Sequence, residues 1–356
     1  MAAAFIDGQS VALREAIREA ARLLEQARNP IVAGMGTDTA GARAAIRLAE
    51  HLRCPFDHLA SDAALASLEV MRDSGWMIVS PLEARRLADV VLLVGAFSKA
   101  RGNEILERLP RPPSHVVLVG GAASARQLEA AGYKVELLAA NDATLPALLS
   151  ALKARTAGRP VAGNLNQKLD RLVDVLRGAR FGVAIWSADG LDRLCIEMLS
   201  GLVKDLNAET RFSGFALPVP GNGSGVAQTA GWLTGFPMRT SFGRDGSTHD
   251  PWRFDADRLV AEDEADTALW ISAYEPVPPP WPKPVPLIAL TAVGTRFPNE
   301  PKVRFDVGTP GVDHDAVQWN GKTGALAAIA ATASSERPRT DEIIEAIRAA
   351  MAGSPA

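Results

Sequence analysis

The sequence predicts an α/β fold built as two related, doubly wound lobes. Apolar runs that lack the alternation of a half-exposed sheet recur along the chain, and helical patterns separate most of them, the signature of βαβ units around parallel strands. One run, Ala27-Arg-Asn-Pro-Ile-Val-Ala-Gly34, leads into a glycine turn and a helix, and Ala179-Arg-Phe-Gly-Val-Ala-Ile-Trp186 repeats that plan. A second pair, Ala88-Asp-Val-Val-Leu-Leu-Val-Gly-Ala-Phe97 and Ala265-Asp-Thr-Ala-Leu-Trp-Ile-Ser-Ala-Tyr274, follows in the same order. Two such echoes imply two lobes: residues 1–160 form the first, with segments after 300 able to join it, 161–300 form the second, and 301–356 pack back on the lobes. Folds of this kind gather ligands beyond the carboxyl ends of their strands, so the glycines after these runs would face a crevice.

Taken in order, Ser10 is the expected cap of a first helix, in which Leu13, Ile17, Ala20, Ala21, Leu24 and Ala27 recur at helical spacing and define one buried face. A strand over 31–33 follows, and the turn Gly34-Met-Gly36-Thr-Asp-Thr-Ala-Gly41 enters a second helix with Ala45, Ile46, Ala49 and Leu52 directed inward. Runs at 90–94, 116–119 and 135–138 read as buried parallel strands. The stretch 156–167, holding Gly, Pro, Ala and Asn, is the expected crossing between lobes. A helix over 169–176, a strand over 182–186 and a long helix over 191–206 continue the second lobe. Pro218-Val-Pro-Gly-Asn-Gly-Ser-Gly225 is dense enough in Pro and Gly to require a loop, and the seven prolines within 275–286 predict an extended surface connection. A helix over 340–351 closes the pattern.

Composition narrows the function classes. A chain of 356 residues, 47% apolar and 22% charged, has the make-up of an ordinary globular protein with more than one core. The net charge of −3 gives no electrostatic reason to expect nucleic acid, and no run is long and apolar enough to span a bilayer. The opening Met-Ala-Ala-Ala-Phe-Ile-Asp places an acid where a signal peptide has a basic start, so a cytoplasmic location is expected. Cys54 and Cys195 stand far apart, neither in a CxxC, and are expected as buried free thiols.

Several segments resemble chemical motifs. Ala316-Val-Gln-Trp-Asn-Gly321-Lys322-Thr323 matches a relaxed phosphate loop, but the residues before it form no apolar strand. Gly34-x-Gly36-x-x-x-x-Gly41 approaches a dinucleotide fingerprint with the last spacing wrong, and a tight helix–strand turn needs the same glycines without a ligand. Gly221-Asn-Gly-Ser224-Gly225 places its serine one residue late for a nucleophile elbow. Asp313-His314-Asp315 offers a metal-binding reading and His249-Asp250 a general-base reading, each weighed against a solvated turn. His51, His58 and His115 stand singly, and the seven tryptophans fit core and interface better than base stacking.

The order of Asn29-Pro-Ile-Val-Ala-Gly-Met-Gly36, Phe56-Asp-His-Leu-Ala-Ser61, Ala88-Asp-Val-Val-Leu-Leu-Val-Gly95, Asp205-Leu-Asn207, Gly221-Asn222-x-x-Gly225 and Gly235-Phe-Pro237 resembles the pterin-binding B subunit of formylmethanofuran dehydrogenases. Those belong to the molybdopterin and tungstopterin oxidoreductases, and the likeness covers nearly the whole chain. It implies a pterin crevice whose counterparts here are Gly34, Gly36, Ala63, Ala64, Gly95, Asn222 and Gly225. The departures are informative. Relatives begin with a cysteine-rich module holding a [4Fe-4S] cluster, whereas this chain opens at the helix that would follow it. Where relatives carry a metal-ligating cysteine and an adjacent histidine, this chain has Ala63 and Ala64, and alanine cannot ligate tungsten or molybdenum. A Gly-Thr expected in the pterin-contacting loop is replaced by Ala316-Val317. The resemblance therefore implies loss of the tungstopterin or molybdopterin and of the cluster, with no catalytic and no metal-binding residue.

That pattern of loss is similar to the B subunits of bacterial formyltransferase/hydrolase complexes, found in methylotrophs that oxidise formaldehyde with tetrahydromethanopterin. The resemblance implies that a formyl group passes from the pterin carrier to a methanofuran-type cofactor and is then hydrolysed to formate, neither step being a redox reaction. Transfer and zinc-dependent hydrolysis are expected in partner subunits: the hydrolase (A), a C-type subunit and the formyltransferase (D). This chain is then a non-catalytic scaffold, with Arg85, Arg86, Lys99 and Arg101 as candidate contacts for an acidic cofactor tail. Two other readings stand beside it: an active pterin-dependent oxidoreductase whose metal takes Asp62 or an oxo group in place of cysteine, and a nucleotide-dependent enzyme using Lys322.

Overall fold

The computed structural model describes residues 3–95, 99–109, 115–187 and 191–351, with backbone alone at 99–102 and 104. The chain opens on a short hairpin, β1 (Ala4–Ile6) and β2 (Gln9–Ser10), followed by α1 (Leu13–Gln26), β3 (Pro30–Gly36), α2 (Thr39–Leu52), α3 (Ser61–Ser74) and α4 (Pro81–Leu87). Next come β4 (Val90–Gly95), α5 (Lys99–Arg108), β5 (His115–Gly120), α6 (Ala122–Ala130), β6 (Lys134–Ala139), α7 (Leu145–Thr156), α8 (Asn166–Arg177), β7 (Gly182–Trp186), α9 (Arg193–Leu206) and β8 (Phe212–Ala216). The remainder runs through α10 (Gly223–Thr234), β9 (Thr240–Gly243), β10 (Gly246–His249), α11 (Ala256–Ala261), β11 (Thr267–Ser272), β12 (Leu287–Thr291), β13 (Val303–Asp306), β14 (Ala316–Asn320), β15 (Ala325–Ile329) and α12 (Thr340–Met351).

These elements fall into two compact units that differ from the expected halves. The first takes the described residues up to Ser61, Pro220–Trp319 and those from Leu326 on; the second takes Asp62–Val219 and Asn320–Ala325. The chain therefore leaves the first unit and returns to it, and the divisions at 160 and 300 are corrected. The stretch 156–167 is not a crossing but the link between α7 and α8 inside the second unit. The misreading has a physical source: two strands of similar sequence need not belong to two sheets in chain order.

The second unit is a doubly wound sheet of five parallel strands in the order β6-β5-β4-β7-β8. Successive residues of β4 point to opposite faces. Val90, Leu92 and Val94 join a core with Leu145, Leu149 and Leu152 of α7, Leu172 and Leu176 of α8, and Leu199 and Leu202 of α9. Val91 and Leu93 join a separate core with Ala84 of α4, Ile105 of α5 and Leu128 of α6. Burial on both faces explains why these strands lack alternation. The strand order reverses between β4 and β7, whose carboxyl ends are Gly95 and Trp186.

The first unit holds a six-stranded mixed sheet in the order β2-β1-β13-β12-β11-β3. β3, β11, β12 and β13 run parallel, and β1 joins β13 antiparallel. Ile31 and Ala33 of β3 share a core with Trp270 of β11, Leu259 and Val260 of α11, and Trp281 from the proline-rich connection. α2 packs with α12 and α10, and α12 with α1. α2 starts because the Asp38 carboxylate accepts the Gly41 N–H at 3.0 Å, and it stops where Arg53 turns left-handed at φ 52°. α1 starts at Ala12 without a side-chain cap, and Ser10 lies in β2, so the expected Ser10 cap is corrected.

The echoes survive in altered form. β3 lies beside β11 in one sheet, and β4 beside β7 in the other, so each sheet holds one member of each echoed pair as neighbours. In the second unit the Asp89 carboxylate accepts the backbone N–H groups of Arg180 and Phe181 at 2.9–3.2 Å. In the first unit the Asp266 carboxylate accepts those of Arg28 and Asn29 at 2.8 and 3.1 Å. An Ala-Asp before one strand thus clamps the entry of its neighbour in both units, which is the structural content of the repeat.

Candidate functional site

Gly34, Gly36, Asn222 and Gly225, which the sequence reading divided between two lobes, come together at the carboxyl edge of the first sheet. β3 continues through Gly34, Met35 and Gly36 beside β11, so the expected turn at Gly34 is a strand with a register shift opposite 270–272. Gly34 sits at φ +79°, and a Cβ there would lie 2.5 Å from the Ile271 carbonyl oxygen. Close approach of two strands is sufficient reason for that glycine. Gly36 and Gly221 come together, a Cβ on Gly221 falling 3.5 Å from the Gly36 Cα. The Leu59 Cδ2 methyl would stand 3.0 Å from a Cβ on either glycine, so the leucine side chain fills the space that their missing side chains leave.

Asn222 anchors this edge. At φ 60° it is the N-cap of α10, so helix begins within the expected 218–225 loop. Its side-chain amide donates to the Thr37 carbonyl at 2.9 Å and accepts the Trp319 N–H at 2.8 Å, tying together the residue after β3, the start of α10 and β14. A Cβ on Gly225 would run into this amide, so Gly225 serves the Asn222 clamp. The hydroxyls of Thr37 and Thr291 are buried at the same edge with no hydrogen-bond partner among the described residues.

A buried polar network that the sequence reading missed lies in the same unit. Asp57 accepts hydrogen bonds from the Ser61 hydroxyl and from the N–H groups of His58 (2.8 Å) and Ala256 (3.0 Å), and it pairs with Arg239 at 3.3 Å. Arg239 also pairs with Asp255 at 2.9 Å. Burial pushes the Asp57 carboxyl up to about 6, against the opposing pull of Arg239 and the hydrogen bonds. His58 Nδ1 accepts the Ala60 N–H at 3.0 Å, which places the ring proton on Nε2, where it is donated to the Gly221 carbonyl at 3.0 Å. Burial pulls this imidazole down to about 4, so it is neutral near pH 7. Aspartate, histidine and serine lie within five residues, yet Ser61 donates to Asp57 and both ring nitrogens bond backbone, so there is no nucleophile–base pair. The network fastens the 57–61 and 220–222 loops. Asp57-His-x-x-Ser61 was visible in sequence; Arg239, 182 positions on, was not.

Ala63, Ala64 and Gly95 belong to the second unit. Ala63, in the first turns of α3, packs against the core around Leu92, and Ala64 is buried. Gly95 ends β4 at φ +117° and faces Gly120, where a Cβ would meet the Gly95 carbonyl. Arg85 and Arg86 are exposed in the last turn of α4. The side chains of Lys99 and Arg101, and Phe97 altogether, lie outside the described residues.

The other motifs resolve as structure. Gly321, Lys322 and Thr323 form the turn of the β14–β15 hairpin, with no helix following, and Lys322 faces Glu107 at 3.5 Å. The phosphate-loop reading is thereby overturned. Asp313 accepts the Thr309 N–H at 2.8 Å and faces Arg337 at 3.5 Å. Asp250 caps the turn that follows it by accepting from Trp252 and Arg253, while His249 Nδ1 faces the Arg239 carbonyl at 3.0 Å. Both cysteines are buried free thiols pushed up to about 12 by burial, and are not thiolates near neutral pH. Among the described residues no three or more His, Cys, Asp or Glu side chains gather to hold a metal ion, and no helix is long and apolar enough to cross a membrane.

No protein-family model matches the chain. It is 31% identical over 345 residues to the B subunit of the formyltransferase/hydrolase complex of Methylorubrum extorquens, covering 96% of this chain and 94% of that protein. The B subunits of the tungsten-containing formylmethanofuran dehydrogenase 2 of Methanococcus maripaludis and Methanocaldococcus jannaschii are 25% and 26% identical, over 75% of this chain and 65% of their own length. The fold superposes with a TM-score of 0.87 and 29% identity on a chain of the X-ray crystal structure of the formyltransferase/hydrolase complex of Methylorubrum extorquens in complex with methylofuran, covering 99% of both chains. A likeness of that strength along almost the whole sequence shows that the chain belongs to the family of formyltransferase/hydrolase complex B subunits, with the dehydrogenase B subunits as more distant relatives.

Proposed function

We propose that this chain is an architectural, non-redox subunit of a formyltransferase/hydrolase assembly. In that assembly partner subunits move a formyl group from a tetrahydromethanopterin-type carrier to a methanofuran-type cofactor and hydrolyse it to formate. Family membership supports the assembly. The observation that carries the non-redox reading is the donor set at the places where the dehydrogenase resemblance would put metal ligands. Ala63 and Ala64 offer only methyl groups there, and the chain's two thiols, Cys54 and Cys195, stand elsewhere, buried and with the thiol form favoured by burial. These residues do not fit a tungsten or molybdenum centre. On the first unit's carboxyl edge, Leu59 and the Asn222 clamp take up space and hydrogen-bonding capacity around Gly36 and Gly221. Neither formyl transfer nor hydrolysis changes an oxidation state, so a chain without redox groups is chemically consistent with the assembly's reaction.

Native purification with the accompanying subunits, followed by tungsten, molybdenum and iron determination on this chain, tests the reading. Substoichiometric metal beside full formate-producing activity is the expected result; one tungsten or molybdenum per chain overturns it. Ala63→Cys, which restores one ligand without the rest of a site, should leave the assembly's activity within about twofold of wild type.

A further inference from the structure

From Phe212 to Met238 the chain carries no charged residue, and α10 lies wholly within that span. The helix buries Val226, Thr229 and Ala230 and turns Gly231, Trp232 and Leu233 to solvent at its C-terminal end. Trp232 is 67% exposed, and Leu233 and, just past the helix, Phe236 are exposed as well. Gly235, at φ +81°, ends the helix and fixes the turn that presents them. Phe236 stacks on the His249 ring with centroids 6.0 Å apart, and Ser247 Oγ donates to the Thr234 carbonyl at 2.9 Å. The β9–β10 hairpin is therefore fastened against the end of α10, and Trp252, three residues past His249, is 69% exposed.

A solvent-facing helix end ordinarily carries charge, and scattered exposed apolar residues need no explanation. Aromatic side chains grouped on one ordered turn, inside a charge-free span, do need one. Resting on the reading that the chain is one subunit of a multi-subunit assembly, we infer that the Trp232, Leu233 and Phe236 face is the anchor on which a different subunit of that assembly docks. The occupant is an apolar, uncharged protein surface with a recess for an indole. Covering the three side chains removes roughly 300–400 Å² from water, about half of the ~800 Å² per partner that a stable interface needs. Two copies meeting on this patch alone would therefore fall short, whereas a large partner can anchor there and spread over the neighbouring rim. That rim, with Arg244, Asp245 and Arg253 exposed, is mixed in sign and does not favour a membrane or nucleic acid.

The test is assembly of the full chain with its co-expressed partner subunits, comparing wild type with Trp232→Glu, Leu233→Glu and the conservative Trp232→Phe. The glutamate variants should match wild type in circular dichroism and melting temperature, while their recovery in the assembly falls by roughly tenfold or more and Trp232→Phe is retained. Glutamate variants recovered at wild-type stoichiometry overturn the docking face, whereas a wild-type chain that fails to co-purify overturns the subunit reading instead. Should the glutamate variants misfold, hydrogen exchange on the wild-type chain decides: protection of residues 228–237 must rise on assembly, and unchanged protection overturns the inference. A homodimer of the isolated chain that Trp232→Glu dissociates, seen by light scattering, assigns the face to a second copy and overturns it as well.

Discussion

The two units begin their neighbouring strands with the same device and differ in how they secure the loops around their sheets. In each, an Ala-Asp pair clamps the backbone N–H groups that open the adjacent strand, Asp89 on Arg180 and Phe181 in one unit, Asp266 on Arg28 and Asn29 in the other. The second unit then buries valine and leucine on both faces of an all-parallel sheet. The first unit also buries its central strands, and in addition ties its loops with buried polar groups, Asp57 with Arg239 and Ser61, and Asn222 with Thr37 and Trp319. What related strands share is the polar clamp that sets their register. What differs is how each unit fills the surroundings of its sheet, and the first uses a network that is costly to break at any single point.

That contrast predicts a ranking. Arg239→Met should be the most damaging change, because it strands the buried Asp57 carboxylate; a loss of about 3–5 kcal/mol by urea denaturation is expected, with partial recovery in Arg239→Met/Asp57→Asn. Failure of the second change to recover stability would mean that packing of the Arg239 stem matters more than its charge. Leu92→Ala, in the fully buried core of the second unit, should cost about 3 kcal/mol with no such rescue, since its penalty is a cavity.

A pH profile sharpens the comparison. Asp57 rises from 3.8 to about 6 on folding, so between those values the folded protein holds a proton that the unfolded chain has lost, and this group makes stability fall as pH rises. His58 falls from 6.5 to about 4, so over nearly the same window the unfolded chain holds the extra proton, and this group makes stability rise with pH. The two slopes oppose, and wild-type stability should be nearly flat between about pH 4 and 6 from this pair. Asp57→Asn should unmask the histidine slope, stability climbing by roughly 2–3 kcal/mol across the window, and His58→Gln should unmask the opposite slope. Two variants with the same sign of slope would show that the pair is not buried as described.

Asn222→Ala should cost about 2 kcal/mol through two lost hydrogen bonds and a left-handed backbone, and Asn222→Gly less, because glycine keeps the φ of 60°. Equal losses would place the whole effect in the side-chain amide. Lys322→Ala, which removes an exposed ion pair on a hairpin turn, should change stability by less than about 0.5 kcal/mol and leave no ATP binding to abolish. ATP binding that this change removes would reinstate the nucleotide reading.

Much of the fold was legible in the sequence because its signals are local. β7 at Gly182–Trp186 and α12 at Thr340–Met351 fall where apolar pattern and breakers put them, and the apolar runs at 90–94, 116–119 and 135–138 are strands of one parallel sheet, the first two buried and the third an edge strand in which only Leu138 is buried. Helix starts were less legible: Asp38 and Asp192 cap as their residue type suggests, but α1 begins without the Ser10 cap, since Ser10 is taken up in a hairpin. The candidate glycines were found, with a different meaning. Gly34 and Gly36 were expected in a tight turn between strand and helix and lie in a strand, pressed against Ile271 and Leu59.

By itself, then, the sequence determined the α/β class, the helical and strand periods and the family resemblance. These are properties of residue type and short-range order, which a chain carries before it folds. Only the tertiary structure decided that the echoed strands pair across the chain instead of within halves, that Arg239 reaches Asp57 from 182 positions away, and that Leu59 and Asn222 pack around the glycines of the first unit's carboxyl edge. Each of those depends on which distant segments a sheet brings side by side, and similarity between segments says nothing of adjacency until the strands have chosen their neighbours.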